Sequence, residues 1–126
     1  MRHNARAIII RNKKLLLVTG HDENYYWTPG GGVENDESVL DALHRELQEE
    51  LGIKATSAMY YMSYSFEEKN KKSDIFMVET LDDIVLGGEI TRMMWYSKED
   101  FINDDIQISL GLTTEVIPRL IEDGLL

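Results

Sequence analysis

Three glutamates, Glu46, Glu49 and Glu50, stand at i, i+3 and i+4 within the stretch Ser38 to Leu51. If that stretch is helical, ~100° per residue gathers their carboxylates onto one arc of roughly 100°. Like charges so close weaken a helix by about 0.2–0.5 kcal/mol per pair, so the cluster needs a countercharge. Arg45 reaches Glu49 at i+4 but lies to one side of the three. Hard divalent cations prefer oxygen ligands, and Mg²⁺ favours carboxylates together with phosphate oxygens and water. A metal therefore accounts for the whole cluster, and a salt bridge for part of it. Any acidic helix taken alone is more often a solvated face. Here Thr28-Pro29-Gly30-Gly31-Gly32 lies directly upstream and offers backbone carbonyls and amides beside the start of the same helix.

The elements that must position these groups follow from apolar spacing. Leu40, Leu43, Leu47 and Leu51 fall within roughly 80° of one another on the helical wheel and form a core-facing stripe. Ser38 or Asp36 caps the start, and Gly52 closes the end in a left-handed conformation. Upstream, Ala5–Ile10 and Leu15–Val18 read as strands joined by a hairpin turn over Arg11 to Lys14, with Asn12 central. A polar, aromatic loop from His21 to Trp27 leads to the glycines. Downstream, Tyr60–Phe66, Ile75–Leu81 and Glu89–Tyr96 read as strands, with Glu67 to Ser73 as a charged loop. Ser97-Lys98-Glu99-Asp100 resembles a capping box opening a helix. Thr113 or Thr114 would cap a last helix that contains Pro118, an awkward residue inside a helix. Strands alternating with helices, some joined by hairpin-length loops, imply a mixed sheet covered by helices.

A chain of 126 residues with 43% apolar and 29% charged residues suits a single domain, residues 1 to 126, with one core. It has no cysteine, which excludes disulfides and thiolate metal sites. Met1 to Ala7 lacks the apolar core of a signal peptide, and no apolar run nears the ~20 residues that span a bilayer. A cytoplasmic location without membrane attachment is the expectation. A formal charge of −10 opposes binding to a nucleic-acid backbone.

Gly31 to Ile53 resembles the Nudix box, whose pattern is G-x5-E-x7-R-E-U-x-E-E-x-G-U with U a bulky aliphatic residue. Gly31 opens it, Glu37 and Arg45-Glu46 follow at the required intervals, and Leu47, Glu49-Glu50 and Gly52-Ile53 complete it. A match at every fixed position is far more specific than a lone glycine motif. The approach through Leu15-Leu16-Leu17-Val18 and Trp27-Thr28-Pro29-Gly30 is also similar to the family's, as is the passage from Trp95 to Phe101. The resemblance implies an α/β fold, a Nudix-type α/β/α sandwich around a mixed β-sheet. It implies metal-dependent hydrolysis of a diphosphate linkage in a nucleoside diphosphate-X substrate, with Mg²⁺ as cofactor and Mn²⁺ as a substitute. Substrates would be nucleoside triphosphates, ADP-ribose or nucleotide sugars, or dinucleoside polyphosphates. Relatives often form homodimers.

Carried over by position, Glu49 and Glu50 are the principal metal ligands, with the carbonyl of Gly30 or Gly31 as a further ligand. Glu46 is a ligand or the base that takes a proton from the attacking water. Arg45 orients the glutamates, and Glu37 supports the loop or metal-bound water. These roles suit phosphoryl chemistry, which needs neutralised phosphate oxygens and a positioned nucleophile. Members often draw a further acid from beyond the box. Glu89 is the first candidate, against a solvated loop acid after Gly87-Gly88, with Glu67, Glu68 and Asp74 behind it.

Tyr25, Tyr26 or Trp27 could stack on a nucleobase, although Trp27 reads better as packing under the loop. Arg6 is the best-placed cation for substrate phosphates, ahead of Lys69, Lys71, Lys72 and Arg92. Thr19-Gly20 stands where many relatives carry a basic residue. The alternative to an enzyme is a Nudix-like sensor that binds nucleotide without turnover, but such modules usually lose box glutamates and this chain keeps all of them. A purely acidic buffering protein would leave Gly31, Arg45 and Gly52 unexplained.

Overall fold

A computed structural model describes residues 1–21 and 24–126. Asp22 and Glu23, in the loop read from His21 to Trp27, lie outside the described residues. The chain runs β1 (Arg2–Ile8), β2 (Ile10–Arg11), β3 (Lys14–Gly20), β4 (Gly30–Gly32), α1 (Val39–Leu51), β5 (Ser57–Phe66), β6 (Lys71–Glu79), β7 (Ile90–Tyr96), α2 (Lys98–Asn103) and α3 (Ile117–Glu122). Its contacts divide it into two units, Met1–Ile8 with Pro29–Gly88 and Ile9–Thr28 with Glu89–Leu126.

The first unit is built on a four-stranded sheet in the order β4-β1-β6-β5. β1 and β6 are parallel, while β4 and β5 pair antiparallel to their neighbours. This is the expected mixed sheet. β5 begins at Ser57, three residues earlier than its sequence suggests, and bulges between Tyr60 and Met62. The charged stretch after it is shorter than a loop. A 3₁₀ turn over Glu67–Lys69 and a left-handed Asn70 (φ 50°) reverse the chain, so Lys71 and Lys72 already belong to β6. His3 Nε2 lies 2.6 Å from Asp74 Oδ2, and Ser63 Oγ donates to Asp74 Oδ1 at 2.5 Å, which ties β1, β6 and β5 together.

Helix α1 begins where its cap predicts. Ser38 Oγ accepts from Asp41 N at 3.1 Å, and Gly52 closes the helix at φ 63° with its N–H on the last-turn carbonyls. Leu43, Leu47 and Leu51 have no exposed surface. Each such burial is worth about 1.5–3 kcal/mol. Leu40 does not join them. It sits in the first turn at 42% exposure, and burial along the helix starts only at Ala42. A wheel gives the angle of a residue but not how far along the helix its covering extends.

The second unit carries a three-stranded antiparallel sheet in the order β2-β3-β7. The run read as one strand over Ala5–Ile10 is in fact split. β1 ends at Ile8 in the first sheet, and Ile10–Arg11 pairs with Lys14–Leu15 in the second. The hairpin between them is the expected one, with Asn12 (φ 53°) and Lys13 (φ 59°) both left-handed as a tight primed turn requires. Ser97 and Asp100 form a reciprocal capping box at the start of α2. Thr113 and Thr114 do not cap the last helix. Their hydroxyls donate to the carbonyls of Ser109 and Leu110, four residues back, inside a wide π turn over Leu112–Val116. That turn lets Pro118 sit at the start of α3, where its missing N–H costs nothing.

Candidate functional site

Four of the five charged box positions, Glu37, Arg45, Glu46 and Glu49, are joined side chain to side chain through Arg45. Its Nε donates to Glu37 Oε2 at 2.8 Å and its Nη2 to Glu37 Oε1 at 3.0 Å, a bidentate clasp. Its Nη1 donates to Glu46 Oε1 at 2.9 Å and lies 3.5 Å from Glu49 Oε2. Its Nη2 also donates to the Gly32 carbonyl at 3.0 Å, and Glu34 lies 3.8 Å away. The guanidinium holds Glu37 well below the usual carboxylate range, at about 2, first through the hydrogen bond and then with help from the Glu34 amide. The sequence places Arg45 beside the acidic cluster. The structure places it at the junction of the glycine strand, Glu37, Glu46 and Glu49.

Glu50 is the one cluster member outside Arg45's reach. It lies at the edge of the leucine stripe and is 8% exposed. Gly30 N donates to its Oε1 at 3.3 Å. Burial pushes its carboxyl up to about 8, and the adjoining Glu46 adds to the shift through a hydrogen bond and its charge. The Gly30 amide and the Arg6 cation pull the other way. Exposure is graded across the cluster: the Glu49 side chain is 55% exposed and that of Glu46 16%.

The glycines are required by contact as well as by conformation. A Cβ on Gly31 would come within 2.7 Å of Glu46 Oε1, so the bare strand is what lets that carboxylate rest against β4. Gly30 adopts φ +132°, and a Cβ there would strike the Ala5 carbonyl oxygen. The Gly30 carbonyl accepts from Arg6 Nη1 at 2.9 Å. Arg6 is half-buried, and burial lowers its pKa while Glu50 and Glu46 oppose the shift. Arg6 therefore touches the strand that borders the glutamates, and one of the two candidate backbone carbonyls is its acceptor.

Among the described residues, no three His, Asp or Glu side chains converge closely enough to hold an ion as they stand. Arg45 draws Glu46 and Glu49 aside, and Glu46 and Glu50 share a hydrogen bond. The donor set nonetheless fits a hard divalent cation: three carboxylates on adjacent turns, two of them abutting in a largely buried place where burial holds the Glu50 carboxyl up at about 8.

Glu89 is exposed and lies in the turn just before β7, at the start of the second unit. The preceding Gly87 donates its N–H to the Glu50 carbonyl at 2.9 Å. Asp74 is engaged by His3 and Ser63; burial raises its carboxyl, but these hydrogen bonds hold it below its usual value. Glu67 and Glu68 are exposed in the 3₁₀ turn. Tyr26 belongs to the second unit, where its backbone is pinned between Gln107 and Ser109. Trp27 pairs its backbone with Val18, and its ring packs near Gly20 and Tyr25. The Gly32 carbonyl that Arg45 binds has no mark in the sequence, because a backbone partner carries no side-chain signal.

The NUDIX domain family model matches residues 1–113. The chain belongs to the Nudix family. The CTP pyrophosphohydrolase of Escherichia coli is 48% identical over 100 residues, covering 75% of this chain and 74% of that protein. Among solved structures, the Escherichia coli ORF135 protein superposes with a TM-score of 0.73 at 29% identity, over 98% of this chain and 92% of that one. A MutT structure from work on the Aliivibrio salmonicida and Vibrio cholerae proteins reaches 0.80 at 21% identity, over 96% and 98% of the two chains. It shares the mixed α/β fold. As a Nudix hydrolase, the protein is a pyrophosphohydrolase acting on nucleoside diphosphate derivatives. Among its described residues, no helix is long and apolar enough to cross a membrane.

Proposed function

We propose that this Nudix hydrolase cleaves the diphosphate linkage of a nucleoside triphosphate, with CTP the first substrate to test, and that it requires Mg²⁺, for which Mn²⁺ substitutes. The observation that carries the metal requirement is the abutting Glu46–Glu50 pair beside Glu49, a set of carboxylates that a divalent cation satisfies better than a shared proton. The similarity to a CTP pyrophosphohydrolase over three-quarters of the chain supports the triphosphate class. The family match runs through both units, which supports reading residues 1–126 as one functional domain.

In this reading Glu49 and Glu50 hold the ion beside Glu46, with the Gly31 or Gly30 carbonyl as a further donor. Once bound, the cation neutralises charge on the phosphate oxygens and makes nearby water more acidic. Glu46 takes the proton of the attacking water, the hydroxyl joins one phosphorus, and the P–O–P bond to the leaving phosphate breaks. Arg45 keeps Glu46 turned towards β4, and Glu37 keeps Arg45 in place through its bidentate clasp. Arg6, anchored on Gly30, supplies positive charge at the same edge for the substrate's phosphates.

The test is a hydrolysis screen over nucleoside triphosphates, ADP-ribose, nucleotide sugars and dinucleoside polyphosphates, with Mg²⁺, with Mn²⁺ and with chelator. Turnover of triphosphates that needs the metal and falls about 100-fold or more in Glu49→Gln supports the proposal. Metal-independent turnover, or none across the panel in protein that still binds nucleotide, overturns it.

A further inference from the structure

β1, β6 and β5 present one face on which the register places Arg2 beside Lys71, Asn4 beside Ser73 and Arg6 beside Ile75, with Phe66 opposite Lys71 and Tyr64 opposite Ser73. At the centre of that face, Asn4 and Ser73 have no exposed surface. The Asn4 amide nitrogen, its amide oxygen and the Ser73 hydroxyl all lack hydrogen-bond partners. Leaving a buried polar group unsatisfied costs about 1–3 kcal/mol, and two such groups side by side call for an explanation. Neither side chain makes a hydrogen bond that holds the strands together. The amide oxygen points to the adjacent strand at Gly32, where a Cβ would meet only Asn4 Oδ1, at 3.9 Å, and otherwise open space.

The surroundings describe the missing partner. Tyr64 and Phe66 lie 5.3 Å apart, centroid to centroid, and Lys69 sits 5.9 Å from the Phe66 ring. Lys71 is half-buried, and its pKa is lowered by burial and then by Arg6, Arg2 and Lys69, so cations are held close together here. An aromatic pair, a planar amide with adjacent donor and acceptor, and a rim of cations suit a nucleotide: rings for stacking, an amide for a base edge and cations for phosphates.

We infer that Asn4 and Ser73 form the base-reading pair of the substrate site, recognising a nucleobase edge that sets an amino donor beside a ring-nitrogen acceptor, as cytosine and adenine do and uracil does not. The inference rests on the nucleotide hydrolase reading above and adds the residues that choose the base. The Asn4 amide oxygen accepts from the amino group, its nitrogen donates to the ring nitrogen, and Ser73 completes the set. A site built from buried hydrogen-bonding groups rejects a base that leaves them unpaired.

The test compares kcat/KM for CTP, UTP, ATP and GTP in the wild-type chain and in Asn4→Val and Ser73→Ala. The wild type should prefer CTP over UTP by roughly ten-fold or more. Asn4→Val should bring that ratio towards one while its Tm is held or raised, since no folded-state hydrogen bond is lost. Ser73→Ala, a smaller change, should lower the ratio in the same direction and serves if Asn4→Val fails to fold. Equal use of all four triphosphates by the wild type, or an unchanged ratio in a folded variant, overturns the inference. Should the wild type hydrolyse no nucleotide, the function reading fails separately, and thermal stabilisation by CMP against ribose 5-phosphate still decides the base site. A larger shift with CMP that disappears in the variants upholds it, and equal shifts refute it.

Discussion

Arg45 holds two box glutamates with three of its N–H groups, two of them closing a fork on Glu37. A lysine at that place keeps the charge but makes no planar, bidentate contact. Arg45→Lys should therefore fold and still lose about 10–100-fold in turnover, the range seen when groups that orient metal ligands are altered; steady-state kinetics at saturating Mg²⁺ checks this. The carboxyls give two pH dependences of opposite sign. Glu37 is depressed to about 2 in the folded chain from an ordinary 4.5, so its contribution is full above pH 4.5 and is lost as pH falls through about 2. Glu50 is raised to about 8, so without metal its carboxyl destabilises the fold progressively as pH rises from about 4.5 to about 8. Thermal melts with chelator should show Tm falling over that upper window, and Glu50→Gln should flatten the fall. A melt that is level over the same window in the wild type would contradict the burial of this carboxyl beside Glu46. At this scale the sequence was most legible where charge and spacing speak together, as in Glu46, Glu49 and Glu50. It was silent on Asn4 and Ser73, which look like any polar residues in a strand until their burial and lack of partners are seen.

Helix α1 and strand β4 position the chemistry, and their glycines fail differently when substituted. Gly31→Ala adds a methyl against the Glu46 carboxylate and leaves the backbone allowed, so it should fold and lose activity through displacement of Glu46. Gly30→Ala combines a φ of +132° with a contact on the Ala5 carbonyl, so it should lose stability first. Strain of this kind costs about 1–3 kcal/mol before the clash is counted; paired Tm and kcat measurements on the two variants separate these effects. Ser38→Ala should cost about 1 kcal/mol by removing the cap on α1. The bounds of α1 were readable because a cap, an apolar period and a closing glycine agree. The split of Ala5–Ile10 was not, because apolar β-branched residues specify a strand without saying which sheet it joins. Nor was the π turn before Pro118, since it answers a proline by widening the backbone and leaves no mark in residue type.

For the molecule as a whole, the acidic surface and the box work in the same direction. Arg45 has neighbouring carboxylates to balance it, while Lys71 shares its face with Arg2 and Arg6. In a chain of net charge −10, these three cations share the face that also carries Tyr64 and Phe66. Such a face attracts a small polyanion, and the remaining acidic surface repels a polymeric one. The fold class was legible from the alternation of strands and helices and from hairpin-length loops, and the solved Nudix structures share it. The division into two contact units was not, because composition is even along the chain and no linker marks the boundary at Ile9 or Glu89. Glu89 opens the second unit, exposed and one residue ahead of β7.

The claim that the box glutamates hold a divalent ion is tested most directly by Mn²⁺ binding, read from the loss of the free-ion EPR signal in wild type and in Glu50→Gln at equal protein concentration. The account predicts saturable binding by the wild-type chain and a drop of about ten-fold or more in affinity for the variant. Equal Mn²⁺ affinity in the two folded proteins would contradict it.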